Sequence, residues 1–450
     1  MVIGHGGARA VSGKHKPYVN ITPEGPEDGG DFGPNTPGTR TSGIQEALDY
    51  AHEHCRDVYI FGGRGGIHDG KLVEPGNVYE LHETLRVPWS QFVKLDGGNY
   101  VLYYAQPTGD AVVIDSQMNC RYKFGLIVSN SDGAAVRIKP TTSGPDDFTV
   151  VTASVFDFSA ICCFNASGTG LVLDSSQGII SNNYLFAEET NTQKMGVHIS
   201  DHGGTGHPIA NNNITVMFGN QMHSRGDCTG LRLGDPGSKR IFGNRFEGSF
   251  HAPRGVYLDE ETGRYVTPEA FVPENAIGAD VFAQRNELHL SFYGVREEGH
   301  DILFEPDSRD NTIYAMNLPS GVTNRAEYPT NRIVPNWSVG FGLPTPDLPE
   351  SGRPIVNRNP YTTEILILDP GEVTDWTLTD AGSMPQRLSR NLSLADSLNR
   401  PPMEPLPDRA PVSHTVQGGL AAGQSITLEP GDSITLTYAV APEWAWRALR

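Results

Sequence analysis

Three side chains able to handle protons or anions fall at one position of a phrase that recurs along this chain. They are His198 in Gly196-Val-His-Ile-Ser200, Arg232 in Gly230-Leu-Arg-Leu-Gly234 and Tyr257 in Gly255-Val-Tyr-Leu-Asp259. An arginine in such a row can hold an anion, and a histidine or tyrosine can serve as base or acid. Asp174 and Asp259 close two copies of the phrase, and Asp201, His202, Asp235 and Glu260 lie just past the ends of copies. Two carboxyl groups roughly 5–10 Å apart suffice for glycoside hydrolysis. Asp235 with Glu247 is the pair that could supply them. The bland alternative is solvation: outward positions of any repeated strand are polar, and four copies easily show a His, an Arg, a Tyr and an Asp.

The phrase itself says what must position these groups. With Gly170-Leu-Val-Leu-Asp174 it occurs four times, each copy a glycine followed by apolar residues alternating with variable ones. That period of two marks a strand with one buried face. A second phrase trails it: Asn183-Tyr-Leu, Asn212-Asn-Ile, Asn244-Arg-Phe, Asn286-Glu-Leu and Asn311-Thr-Ile. Two phrases in fixed order with variable insertions mark a repeat, and such short strands bury an apolar face only by stacking. The copies start at 170, 196, 230 and 255, so the shortest steps are 26 and 25 residues. Two or three short strands with turns fill a coil of that length, at about 3.3 Å per residue. A leucine-rich frame is missing, and the four-stranded aromatic blades of a propeller are missing too. The reading is an all-β, right-handed parallel β-helix; a β-sandwich with accidental similarity is the competitor. Coils about 4.8 Å apart then predict one outward column of Val172, His198, Arg232 and Tyr257, and another of Asp174, Ser200, Gly234 and Asp259.

Composition narrows the partners. The 450 residues carry a formal charge of −19, with 51 Gly and 33 Pro. Acidity argues against nucleic acid and anionic membranes, and no apolar run approaches the roughly 20 residues of a membrane span. Cys55, Cys120, Cys162, Cys163 and Cys228 are odd in number and lack C-x-x-C spacing, so they read as buried thiols. The first residues show no secretory signal. Neither a cofactor nor a metal is expected. Gly62-Gly-Arg-Gly-Gly66 lacks the ending of a phosphate loop, His202-Gly-Gly-Thr-Gly-His207 reads as a loop rather than a ligand pair, and Asp307-Ser-Arg-Asp310 lacks a calcium loop's other acids.

Along the chain, residues 1–40 read as an extended arm and 41–318 as the solenoid with an N-terminal cap. Residues 319–360 form a linker or strap, and 361–450 a sandwich-like β-domain. Ser42-Gly-Ile-Gln45 is a capping box for a helix to about His54, with Ile44, Ala47, Leu48 and Ala51 on one face. Ser425-Ile-Thr-Leu428 and Ser433-Ile-Thr-Leu-Thr-Tyr438 flank Pro430-Gly431-Asp432 as a predicted hairpin. Residues 385–411 read as a long loop, and Trp444 and Trp446 share one side of a strand as anchors of a domain or subunit interface.

The helix followed by Asp57-Val-Tyr-Ile-Phe61, with Leu85-Arg-Val-Pro88 and Phe92-Val-Lys-Leu95 as first coils, resembles the capped opening of pectin-lyase-like β-helix proteins. The ending from Leu428 to Tyr438 and from Ala441 to Trp446 resembles the terminal β-domains of viral spike-like and surface members. The resemblance covers about residues 40–320 and brings no catalytic signature with it. It implies that a glycan lies on the outer face, contacted by His198, Arg232, Tyr257, Asp174 and Asp259. Two functions follow as expectations. One is a virion tailspike or fibre, a homotrimer binding host-surface polysaccharide or glycoprotein and other virion proteins. The other is an extracellular polysaccharide lyase or glycoside hydrolase.

Overall fold

In the computed structural model, the described residues are 16–449 apart from 63–66, 69–70, 73–77, 98–99, 145–148, 221–227, 252–256, 260–263, 267–275, 294–298, 319–320, 337–341 and 382–410. Much of the expected arm, the glycine-rich turn, the start of the Gly255 phrase and most of the 385–411 loop therefore lie outside them.

Apolar alternation stacks strands into three parallel sheets of thirteen, nine and six strands among the described residues. The largest takes in Tyr18–Ile21, Arg121–Ser129, Tyr184–Thr192, Arg245–His251, Glu287–Tyr293 and Arg332–Pro335. The nine-stranded sheet runs through Leu85–Val87, Val112–Ile114, Ala134–Ile138, Thr169–Asp174, Met195–Ser200, Thr229–Leu233, Ile277–Val281, His300–Phe304 and Val322–Asn324. The six-stranded sheet is built of two- and three-residue strands from Ser90–Gln91 to Ile241–Phe242. Successive passes visiting all three sheets make a parallel β-helix. Its interior is a stack of apolar rows, such as Val136, Leu171, Val197, Leu231, Ala279 and Ile302, each almost wholly buried. Strands of these sheets at Tyr18–Ile21 and Arg332–Pro335 fall outside the 41–318 span read from the sequence.

Helix α1 (Ile44–His54) covers the open end, burying Ile44, Ala47, Leu48 and Ala51. Its start is not the expected capping box. Gly43 is the N-cap at φ 80°, Ser42 turns away to donate to the Glu80 carbonyl, and Thr41 Oγ1 accepts from the Gln45 amide instead. The Gln45 side chain, freed from capping, donates to the Arg86 carbonyl at 2.9 Å and accepts from the Arg86 amide at 2.8 Å. It thus pairs the edge of Leu85–Val87, the end strand of the nine-stranded sheet, as a neighbouring strand would.

The repeated glycines are there for close approach. A Cβ on Gly196 would stand 2.5 Å from the Gly230 carbonyl oxygen, and one on Gly170 2.6 Å from that of Gly196. Backbone cannot yield as a side chain end can, so Gly196→Ala is expected to destabilise the protein by about 1–3 kcal/mol, read as a lower denaturation midpoint.

The asparagine phrases form a ladder at the corner between the six- and thirteen-stranded sheets. Asn183, Asn212, Asn244, Asn286, Asn311 and Asn331 are each at most 3% exposed. Each Nδ2 down to Asn311 donates to the Oδ1 of the next asparagine at 2.9–3.3 Å, and that same Oδ1 accepts the preceding backbone amide. The left-handed residue is the one before: Asn182, Asn211, Gly243, Arg285 and Asp310 have φ between 56° and 67°. These turns repeat because each buried amide needs the next to satisfy it.

The described residues beyond 353 form a four- and a three-stranded antiparallel sheet around a second core that includes Ile365, Ile426, Leu428, Ile434, Leu436, Trp444 and Trp446. Ser425–Leu428 and Ser433–Tyr438 are both strands, but they do not form the expected hairpin. The first pairs with Thr363–Asp369 and the second with Val373–Asp380, so the Pro430-Gly431-Asp432 turn crosses between sheets. Crossing lets both strands aim their alternate apolar side chains into one core. Trp444 and Trp446 are buried there, and Trp444 Nε1 donates to the Pro346 carbonyl at 3.3 Å, tying the preceding segment down. Among the cysteines, Cys55 departs from expectation: it ends α1 at φ 51° and is exposed, while the other four are buried.

Candidate active site and glycan-contact face

The nine-stranded sheet points one residue per strand outward at its middle. The register gives Arg86, Val113, Arg137, Val172, His198, Arg232, Asp280, Leu303 and Thr323 in one row. Val172, His198 and Arg232 stand where the sequence placed them, and Asp174 adjoins Ser200 in the neighbouring row. Tyr257 and Asp259 do not join these rows. Tyr257–Asp259 pairs antiparallel with Arg264–Val266, and the next coil after Thr229–Leu233 is Ile277–Val281. The residue beside Arg232 is therefore Asp280, which sequence reading missed. Its signal was Gly278-Ala-Asp-Val281, a copy of the phrase with alanine at the inward position.

Around Arg232 the groups converge. His198 Nε2 lies 3.0 Å from Asp235 Oδ1, Ser200 Oγ donates to Oδ2 at 2.5 Å, and Arg232 Nε stands 3.7 Å from Oδ1. The loop carrying Asp235 is fastened from below. Ser238 Oγ accepts from the Asp235 amide at 2.7 Å and donates to the buried Asp201, which also accepts the Lys239 and Arg240 amides. Burial alone would raise the Asp235 carboxyl, but the hydrogen bonds from His198 and Ser200, with the charge of Arg232, outweigh it and hold the acid below its ordinary value.

Asp280 has the opposite setting. It is 5% exposed, and its Oδ1 is buried with no hydrogen-bond partner among the described residues. Burial pushes its carboxyl up to about 6, against the pull of Arg232 and with the push of Glu305. One arginine thus stands beside two carboxyls driven apart, the pattern that divides acid from base.

Glu247 is not the partner of Asp235. It is exposed on the thirteen-stranded sheet, in register between Thr215 and His289, whereas Asp235 follows a strand of the nine-stranded sheet. Twelve residues of chain carry it around a corner of the coil to another face.

Nearer the N-terminus the same face holds a second polar group. Arg137 Nε reaches Asp110 Oδ2 at 2.6 Å and its Nη1 reaches Asp174 Oδ2 at 3.2 Å; His202 Nε2 lies 2.8 Å from Asp174 Oδ1. Burial opposes ionisation of Asp174, but hydrogen bonds from Ser176 and His202, aided by Lys139, carry its carboxyl down to about 2. Asp110, Arg137, Lys139 and Asp174 border a cavity of about 800 Å³ between α1 and the first coils. Among the described residues, no three His, Cys, Asp or Glu side chains stand together to hold a metal ion, and no helix is long and apolar enough to cross a membrane.

No family model and no curated protein matches the chain. Among solved structures, a double mutant of the tailspike protein of E. coli bacteriophage HK620 in complex with a pentasaccharide aligns over 92% of this chain and 90% of that one. The identity is 8% and the TM-score 0.18. The fold rests on the sheet order and register above, not on this likeness.

Proposed function

We propose that the chain is a glycan-binding β-helix of the virion-spike kind, contacting host-surface polysaccharide or glycoprotein along the outer face of the nine-stranded sheet. The observation that carries this is the row from Arg86 to Asp280. Charged and hydrogen-bonding side chains on rigid parallel strands line one face, with a cavity at one end and a buried acid near the other. Side chains fixed by a stacked backbone suit recognition of an extended, hydroxyl-rich polymer, because little ordering remains to be done on binding. Assembly as a homotrimer on the virion surface, with other virion proteins at one end, belongs to the same proposal.

A second reading, hydrolysis of the bound glycan, is favoured by one observation: Asp280 and Asp235 flank Arg232 with their protonation pushed in opposite directions. Asp280 would give its proton to the leaving oxygen, and ionised Asp235 would act as base or nucleophile. A panel of acidic and neutral polysaccharides, followed for binding, new reducing ends and unsaturated uronates, tests both readings. Retention without cleavage leaves the spike; reducing ends without unsaturation make it a hydrolase; unsaturated ends make it a lyase. No retention and no product on any member contradicts both. Arg232→Ala is expected to weaken binding about tenfold or more, the loss of one charge-assisted contact, while the protein still folds, with a lower denaturation midpoint because Asp235 and Asp280 lose their neighbouring cation.

A further inference from the structure

We propose that the cavity beside α1 holds an anionic sugar unit, its carboxylate, sulfate or phosphate group taken by Arg86 with Lys139 as a second contact. The proposal rests on the glycan-binding reading and names the chemistry of the ligand. At about 800 Å³ the cavity is of the size that encloses small ligands. It is bordered by the helix and by four successive coils of the sheet, through Gln45, Thr84, Asp110, Arg137 and Asp174 among others.

Acids and bases nearly balance in its lining, so what separates them is which charges are already met. Asp110 accepts both Nε and Nη2 of Arg137 as well as the Ala134 amide. Asp115 accepts the amides and hydroxyls of Thr141 and Thr142. Asp174 has Arg137, His202 and the Ser176 amide, and Asp49 accepts from Gln45. The cations differ. Lys139 reaches only the Asp174 oxygen that Arg137 already holds, and at 3.8 Å. The Arg86 guanidinium has no hydrogen-bond or ion-pair partner among the described residues, although Gln45 clamps its backbone at both amide and carbonyl. An uncommitted guanidinium at the border of a polar cavity is available to an anion, and its planar fork suits an oxyanion.

The test is an array of carboxylated, sulfated, phosphorylated and neutral oligosaccharides, probed with the wild-type protein, Arg86→Gln and Arg232→Ala. The expected result is retention of anionic members, with the arm retained identifying the group, and at least about tenfold weaker binding by Arg86→Gln. Two results overturn the inference and leave the glycan reading standing. One is retention of neutral members alone; the other is anionic binding lost in Arg232→Ala yet unchanged in Arg86→Gln. Retention of no member removes both together.

Discussion

Replacing Asn212 by Ala is expected to lower the stability of the solenoid by about 3–5 kcal/mol, among the largest effects of any single polar substitution. The side chain accepts from the Asn183 amide and Nδ2, and donates to the carbonyls of Ile180 and Ala210 and to Asn244 Oδ1. All of these sit at a corner where Asn183, Asn212 and Asn244 are at most 2% exposed. Alanine leaves several of them buried without a partner, each costing about 1–3 kcal/mol, partly relieved if water enters. Asn212→Asp keeps the shape and the acceptor but removes the Nδ2 donor and adds a charge facing two carbonyls, so it should be no better tolerated. Denaturant unfolding checks both. In a stack where each coil meets only its neighbours, the loss should appear first as a local opening around residues 180–245, visible in amide exchange. A midpoint within about 0.5 kcal/mol of wild type would mean that the ladder does not hold the corner.

Under the hydrolytic reading, Asp280→Asn is expected to cut turnover by about 10²–10⁴-fold, the usual contribution of a positioned acid. The same change should not weaken the fold, and this separates the two roles. Asp280 titrates at about 6 when folded, against 3.8 for an ordinary aspartate. Between those values the folded protein binds more protons than the unfolded chain, so stability falls as pH rises through that window. The loss is on the order of 2–3 kcal/mol once the carboxylate is fully ionised. Asparagine removes that slope, and Asp280→Asn should therefore be at least as stable as wild type at pH 7. Cleavage by the wild type needs Asp280 protonated and Asp235 ionised, which confines activity to the range from below the ordinary aspartate value up to about pH 6. A variant that loses activity and stability together would instead mark Asp280 as structural.

The parts of this molecule that repeat were readable from sequence. Glycine-phased strands at 170, 196 and 230 and the asparagines at 183, 212, 244, 286 and 311 each solve the same packing problem once per coil, so they spell themselves out. What failed was the step where repetition is interrupted. The coil after Arg232 reaches Asp280 only 48 residues later (280 − 232), whereas Gly255-Val-Tyr-Leu-Asp259 falls at the expected spacing of 25 and mimics the next rung. The true rung is disguised because Ala279 stands where the other copies carry a large apolar residue; its glycine is kept, since a Cβ on Gly278 would collide with the Phe292 ring. Glu247 failed for a different reason. Nearness in sequence says little in a solenoid, where twelve residues carry the chain to another face while partners a whole coil apart touch. The state of Asp280 was not legible at all, since it depends on burial and on Glu305 and Arg325 one and two coils further on. Likewise, alternating strands around a Pro-Gly-Asp turn look the same whether the turn closes a hairpin or crosses between two sheets.

The most direct test of the glycan-binding face is affinity for whichever polysaccharide the panel retains, measured for His198→Ala and Arg232→Ala beside Glu247→Ala and Tyr314→Ala. The first two alter the outer face of the nine-stranded sheet and the last two that of the thirteen-stranded sheet. The expected result is a loss of about tenfold or more confined to the first pair. Loss confined to the second pair would place the glycan on the thirteen-stranded sheet and contradict the assignment.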